Sequence, residues 1–236
     1  MSGLKDKVAI VTGASKGIGK AIAEHYGREG AKLLISARHQ ETLLNVKDEL
    51  KSSGVEAIPV VADMSNEDDV KGLIKTAIDA FGRIDVLVNN AGFGIFRPVS
   101  EMTTEEYDRL FSVNMRGTFI ASREVLKYMT RQNDGVIINI ASLAGKNPVE
   151  NGAVYAATKW AMLGFGRSLM LEVRKYNIRV ITICPGSVDT DFSSSHLKNR
   201  DKILKPEDIA EAAVLAASLP PRAMMSEIDL RPTNPM

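Results

Sequence analysis

Short runs of valine and isoleucine alternate along this chain with longer stretches whose apolar residues recur at helical spacing. The runs are Val8 to Val11, Lys32 to Ser36, Ala57 to Val61, Val86 to Val88, Val136 to Ile140 and Val180 to Cys184. They show no polar alternation, the pattern of strands covered on both faces. Helix-like segments lie near residues 17–29, 40–53, 67–81, 104–132 and 153–175. Thr103 and Glu106 have the spacing of a capping box. Pro206, followed by Glu207 and Asp208, suits the first turn of another helix reaching about Ser218. Ser226 to Leu230 reads as a last strand. Such alternation predicts an α/β fold with a doubly wound parallel sheet and helices on both faces. No stretch rich in Pro, Gly or Ser divides residues 1–236, which predicts a single domain.

Composition narrows the function. Charged residues make up 25% and hydrophobic residues 44%, and the formal charge is +1. A near-neutral chain lacks the basic footprint of a nucleic-acid binder. No apolar run approaches the ~20 residues that span a bilayer, and the first residues lack the apolar core of a secretory signal. Cys184 is the only cysteine, so no internal disulfide is possible. At the end of a buried strand it reads as an inert thiol. His25, His39 and His196 stand apart, with no second ligand at metal spacing, and read as surface or packing residues. A cytoplasmic protein without a metal is expected.

Thr12-Gly-Ala-Ser-Lys-Gly-Ile-Gly19 follows the first strand and opens the first helix. Gly13 permits a tight turn, Gly17 lets the backbone approach a pyrophosphate, and Gly19 permits close helix–strand packing. Ser15, Lys16 and Ile18 share that loop, and the helix N-terminus behind it attracts phosphate. These features predict a dinucleotide-binding Rossmann fold, with an about seven-stranded sheet. After the second strand comes Arg38, with no carboxylate until Glu41. An acid there would favour NAD; Arg38, which can fork onto a phosphate, with Lys16 nearby, favours NADP(H). The alternative for Arg38 is a solvated charge. Asp63 ends the third strand, next to Met64, where a carboxylate can accept from an adenine amino group. Its alternative is capping beside Ser65.

Tyr155 and Lys159 sit one helical turn apart, so the phenol and the ammonium share a face. A neighbouring lysine charge lowers a phenol pKa from its usual value of about 10. A tyrosine tuned in that way is a general acid or base.

The glycine loop, Asn89-Asn-Ala-Gly92 after the fourth strand, Ser142 after the fifth, and Tyr155 with Lys159 together resemble the short-chain dehydrogenase/reductase family over nearly the whole chain. The compact branch that includes β-ketoacyl carrier-protein reductases and carbonyl reductases is the most similar. The resemblance implies that Tyr155 protonates a carbonyl oxygen and that Lys159 lowers its pKa and holds the nicotinamide ribose. It implies that Ser142 hydrogen-bonds the carbonyl, and that Asn114 anchors a water in a proton relay. Asn90, Ala91 and Gly92 would border the adenosine ribose. Pro185, Gly186, Val188 and Thr190 would hold the carboxamide. Ser142 as an ordinary strand-end residue, Asn114 as a backbone tie and Thr190 as a plain N-cap are the alternatives. In this family the helices bearing Asn114 and Tyr155 build a dimer interface. Phe119, Met162, Phe165 and Met170 give them apolar residues on more than one face, and Trp160 reads as interface or core, so a homodimer or homotetramer is expected, with sheet packing alone as the alternative.

Phe93, Ile95, Phe96, Leu143, Ala144, Val149 and Phe192 would line an apolar substrate pocket, with Glu150 and Asn151 near its mouth. A small lid is expected between Gly186 and Pro206. The ending, Arg-Pro-Thr-Asn-Pro-Met, is expected to run along the surface, and it lacks the glycine ending of β-ketoacyl reductases. The expectation is therefore an NADPH-dependent reductase of a small carbonyl compound or acyl thioester. One rival is a 3-oxoacyl carrier-protein reductase, with Arg97, Arg116 and Lys146 as a docking patch. The other is a non-catalytic nucleotide sensor.

Overall fold

A computed structural model describes residues 3–192 and 202–233. Its strands are β1 (Val8–Thr12), β2 (Lys32–Ala37), β3 (Ala57–Val61), β4 (Val86–Asn89), β5 (Gly135–Ile140), β6 (Ile178–Pro185) and β7 (Glu227–Leu230). They form one sheet in the order β3-β2-β1-β4-β5-β6-β7, and every neighbouring pair is parallel. The helices are α1 (Gly17–Arg28), α2 (Gln40–Ser52), α3 (Glu67–Phe81), α4 (Thr104–Phe111), α5 (Gly117–Gln132), α6 (Ala153–Val173) and α7 (Pro206–Ser218). This is the doubly wound Rossmann fold that the alternation predicts.

Successive residues of the central strands feed opposite layers, as the period of two requires. Val11, Ile35, Val88 and Ile138 pack with Ile22 and Tyr26 of α1 and Ile209 of α7. Ile10, Leu34, Leu87 and Ile137 pack with Leu73 of α3, Val125 of α5 and Leu169 of α6. Each such side chain contributes about 1.5–3 kcal/mol by leaving water. The outer strands differ from the expectation of burial on both faces. β3 and β7 are only partly covered, because each lies at a sheet edge. Pro59 is tolerated in β3 for the same reason, since an edge strand has one row of amides without a ladder partner.

The capping signals act as their chemistry dictates. The Thr103 hydroxyl accepts from the Glu106 amide while the Glu106 carboxylate accepts from the Thr103 amide. Asn66 caps α3 by accepting from the amides of Asp68 and Asp69. β6 begins two residues before the run of Val and Ile. The charge of Arg179 hid that start: its guanidinium donates to the carbonyls of Ala217 and Leu219 and so closes the end of α7.

The helix-like segment predicted near 104–132 is helical throughout, with one irregular turn. α4 and α5 are separated by a π-helical turn, Ser112–Arg116. That wider turn coincides with two constraints. The Asn114 side chain is drawn to the backbone of Phe93. Gly117 passes so near residue 64 that a β-carbon on it would lie 2.5 Å from the Met64 carbonyl oxygen. Such turns occur often at functional sites. Among the described residues no helix is long and apolar enough to cross a membrane.

Candidate active site

Chain order reverses between β1 and β4, so the loops leaving these strands part and open a crevice. The crevice measures about 1180 Å³ and is lined from the glycine loop through Arg38 to Ser142, Tyr155, Pro185 and Phe192.

The glycine loop is shaped for close backbone approach. Gly13 and Gly17 have φ of 66° and 56°, values that an L side chain rarely adopts. A β-carbon at residue 13 would lie 2.8 Å from Ala91 Cα, and one at residue 19 only 2.4 Å from Asn90 Nδ2 and Gly13 O. Asn90 binds the loop directly, donating from Nδ2 to the carbonyls of Thr12 and Gly13. Lys16 occupies the N-cap of α1 without a side-chain hydrogen bond to its first turn. The amides of that turn are thereby left to a ligand such as phosphate. This cradle fits a dinucleotide.

Ser15, Lys16, Gly17, Ile18, Arg38, Met64, Asn90, Ala91, Gly92, Pro185, Gly186, Val188 and Thr190 all line the crevice, as do Gly13, Tyr155 and Lys159. Gly19 does not; its part is packing. Asp63 does not line it either. Its Oδ1 accepts from the amide and hydroxyl of Ser65, a local turn and not a helix cap, since Asn66 caps α3. Burial raises its pKa, but those hydrogen bonds and the charges of Arg38 and Arg109 outweigh that and hold it below the usual carboxylate value. Lys16 pairs at 3.2 Å with Asp191, across the crevice from the loop. Thr190 Cγ2 lies 3.2 Å from where a β-carbon on Gly17 would sit.

On the far side Ser142, Tyr155 and Lys159 converge. Ser142 Oγ accepts from the amide of Ala144, which orients the hydroxyl at the end of β5. Lys159 Nζ donates to the Ile140 carbonyl at 2.9 Å and lies 5.9 Å from the centre of the Tyr155 ring. Asn114 stands behind this group. Its Oδ1 accepts from the Phe93 amide, and its Nδ2 donates to the Phe93 carbonyl and to Thr158 Oγ1. The side-chain amide thus ties the Phe93 backbone to the helix that carries Tyr155.

The expected lowering of the tyrosine pKa is overturned in this state of the protein. Burial pushes the Tyr155 phenol up to about 12, with hydrogen bonding to Ser142 opposing it. Burial also brings Lys159 down to about 8. Desolvation disfavours the charged form of each group, and here it exceeds the opposing effects of Ser142 on the phenol and of Cys184 on the ammonium. Cys184 is likewise pushed up, to about 11, chiefly by burial, so it is an inert thiol.

Residues 7–201 match the family described as short chain dehydrogenase. This chain belongs to the short-chain dehydrogenase/reductase family of oxidoreductases. It is 37% identical over 232 residues to an uncharacterized oxidoreductase of Staphylococcus aureus, covering 98% of this chain and all of that one. Among solved structures, a metagenomic short-chain oxidoreductase in complex with NADP is 39% identical, with a TM-score of 0.88 over 98% of this chain and 99% of that one. The 3-ketoacyl-(acyl-carrier-protein) reductase of Brucella melitensis, complexed with NADH, is 30% identical. Its TM-score is 0.92, over 99% of this chain and 100% of that one.

Some site residues of this short-chain dehydrogenase escaped the sequence patterns. His39, exposed as expected of a surface residue, also lines the crevice beside Arg38. Arg231 and Pro232 also reach the crevice. The Gly186 amide donates to the Leu230 carbonyl, which brings the start of the ending back to the crevice edge, while Arg231 and Thr233 stay exposed, as expected of a surface segment. A short edge strand with a non-repeating ending carries no signal for that return. Of the expected substrate residues, Phe93, Phe96, Leu143, Ala144, Val149 and Phe192 line the crevice; Ile95, Glu150 and Asn151 do not. His196 and the middle of the expected lid, residues 193–201, lie outside the described residues, as do residues 234–236 of the ending.

Proposed function

We propose that this short-chain dehydrogenase reduces a small, mostly apolar ketone with NADPH. The observation that carries the reading is one crevice joining the phosphate cradle and Arg38 to Ser142, Tyr155 and Lys159. NADPH, when bound, supplies the hydride. Tyr155 would donate its proton to the carbonyl oxygen. A phenol with a pKa near 12 is fully protonated at neutral pH, as a donor must be. The Ser142 hydroxyl would hydrogen-bond the same oxygen and stabilise the charge developing on it. Lys159 would hold the ribose and offer its ammonium beside the tyrosine. Asn114 would position the Phe93 loop. The NADP complex of the metagenomic oxidoreductase supports the cofactor, and so does the lack of a carboxylate between the end of β2 and Glu41.

The carrier-protein reading finds less support, although the Brucella neighbour bears that name. The three cations expected to greet an acidic carrier are already paired. Arg97 meets Glu106, Arg116 meets Glu67, and Lys146 meets Glu227 and Asp229. The test is NADPH oxidation at 340 nm against small ketones and acetoacetyl thioesters, with NADH in parallel. Ketone turnover supports the reading; turnover of thioesters alone would transfer the protein to the carrier-linked reductases.

Arg38 is the cofactor discriminator in this proposal. Arg38→Ala is expected to raise the Kd for NADPH roughly 10- to 100-fold, the loss of a charge-assisted hydrogen bond, and to leave NADH binding nearly unchanged. Calorimetry with both nucleotides measures it, and equal losses for the two would refute the assignment. The proposal includes a homo-oligomer built on α5 and α6, where Phe119 and Trp160 are exposed. Trp160→Glu is expected to shift the mass by light scattering to that of a monomer. A wild-type protein already monomeric would remove this part.

A further inference from the structure

The substrate end of the crevice is walled by an aromatic cluster seated on the catalytic tyrosine. The Phe96 and Phe192 ring centres lie 5.2 and 5.6 Å from that of Tyr155 and 6.2 Å from each other. The rings are tilted by 56° and 49° to Tyr155, and the two phenylalanines meet edge to face, at 88°. Such geometries let the positive edge of one ring meet the negative face of another. Phe96 and Phe192 are nevertheless each 44% exposed, whereas Tyr155 is only 7% exposed. Two phenylalanines therefore shield the phenol and still offer ring surface to the crevice.

The backbone is built to seat them. A β-carbon on Gly94 would lie 2.6 Å from Phe96 Cε2 and 2.9 Å from Phe192 Cζ, and one on Gly152 would lie 3.2 Å from Phe96 Cδ1. Both rings rest where these glycines leave room. The loop beneath them is anchored by Asn114, which grips the Phe93 backbone at both its amide and its carbonyl. The neighbouring wall of Leu143, Ala144 and Val149 adds no charge. Arg231 lies 3.5 Å from Asp229, which offsets its charge.

We propose that Phe96 and Phe192 are specificity-determining residues that select ketones whose carbonyl carries a neutral aromatic ring. The ring of the substrate stacks on the exposed surface of the two phenylalanines, and its carbonyl is presented to Tyr155. This rests on the carbonyl-reductase reading. An aliphatic ketone of equal bulk fills the same space but forgoes the ring-to-ring attraction.

Acetophenone and cyclohexyl methyl ketone differ in the ring and little in size. Their kcat/KM ratio is measured for the wild type, Phe96→Leu and Phe192→Leu with NADPH, substitutions that keep apolar bulk and remove the ring. Comparing ratios cancels the intrinsic reactivity of the two ketones. Each variant is expected to lower the ratio about three- to tenfold, with the NADPH Kd unchanged. Ratios unchanged in both variants would overturn the proposal while leaving carbonyl reduction standing. Calorimetric titration of 1-phenylethanol into the protein saturated with NADP+ reads the same contact without turnover. If the wild type reduces neither ketone, the carbonyl-reductase reading fails. Weaker 1-phenylethanol binding in the two variants would still support the aromatic contact, and equal binding would overturn it.

Discussion

Replacing Tyr155 with Phe is expected to lower kcat for ketone reduction about 10³-fold, within the 10²–10⁴-fold range of general acid catalysis. The substitution deletes one oxygen and keeps the ring that packs against Phe96 and Phe192. The aromatic wall and the cradle at Gly13, Gly17 and Gly19 therefore stay in place. The Kd for NADPH is expected to change less than about threefold, under 1 kcal/mol. Stopped-flow turnover together with fluorescence titration of NADPH measures both. Retained turnover would remove Tyr155 from the chemistry and pass the proton donor's role to another group. Loss of turnover and of NADPH binding together would mean that the hydroxyl serves the cofactor rather than the carbonyl.

Replacing Lys159 with Met is expected to abolish useful turnover and yet stabilise the fold at pH 7. Lys159 is only 5% exposed, and burial lowers its pKa from 10.5 to about 8. Keeping that ammonium charged inside the protein costs about 3 kcal/mol. Methionine fits the same channel without a charge. It gives up the hydrogen bond to the Ile140 carbonyl, a loss of about 1–2 kcal/mol. A net gain of about 1–2 kcal/mol is expected, or roughly 3–6 °C in Tm for a chain of this size.

The pH dependence of that gain identifies its source. Below pH 8 both the folded and the unfolded protein hold the lysine proton, so the whole penalty is present. Between pH 8 and 10.5 the folded state releases the proton while the unfolded state keeps it. Wild-type stability should therefore rise through this window relative to the methionine variant. Tyr155, with its pKa raised to about 12, acts in the opposite sense, but only above pH 10. Calorimetric scans at pH 7 and pH 9.5 measure the change. A methionine variant less stable at pH 7, with a difference that ignores pH, would show that the ammonium is not under strain. A group kept at a cost to stability is what the family role of a catalytic lysine requires.

Much of this was legible along the chain because the determinants are local. Runs such as Val8 to Val11 have one outcome when flanked by amphipathic helices, and β1 follows. A glycine loop between a strand and a helix has few uses, and Gly13 and Gly17 indeed take positive φ. Helix spacing alone places Tyr155 and Lys159 on one face. The exceptions arose where a long-range contact overrides a local pattern. The helix over 104–132 widens to a π-helical turn around Asn114, where the backbone of Phe93, distant in sequence, claims the side chain.

The sequence by itself determined the doubly wound sheet, the phosphate cradle, the family and the convergence of Ser142, Tyr155 and Lys159, because each follows from residue type and spacing over a few turns of chain. Only the tertiary structure decided the direction of the two pKa shifts. Spacing shows that a lysine stands near a tyrosine, but desolvation depends on everything packed around them, and here burial prevails over charge. The tertiary structure also brought Arg231 to the crevice and set Phe96 and Phe192 against Tyr155, from parts of the chain that no local pattern connects.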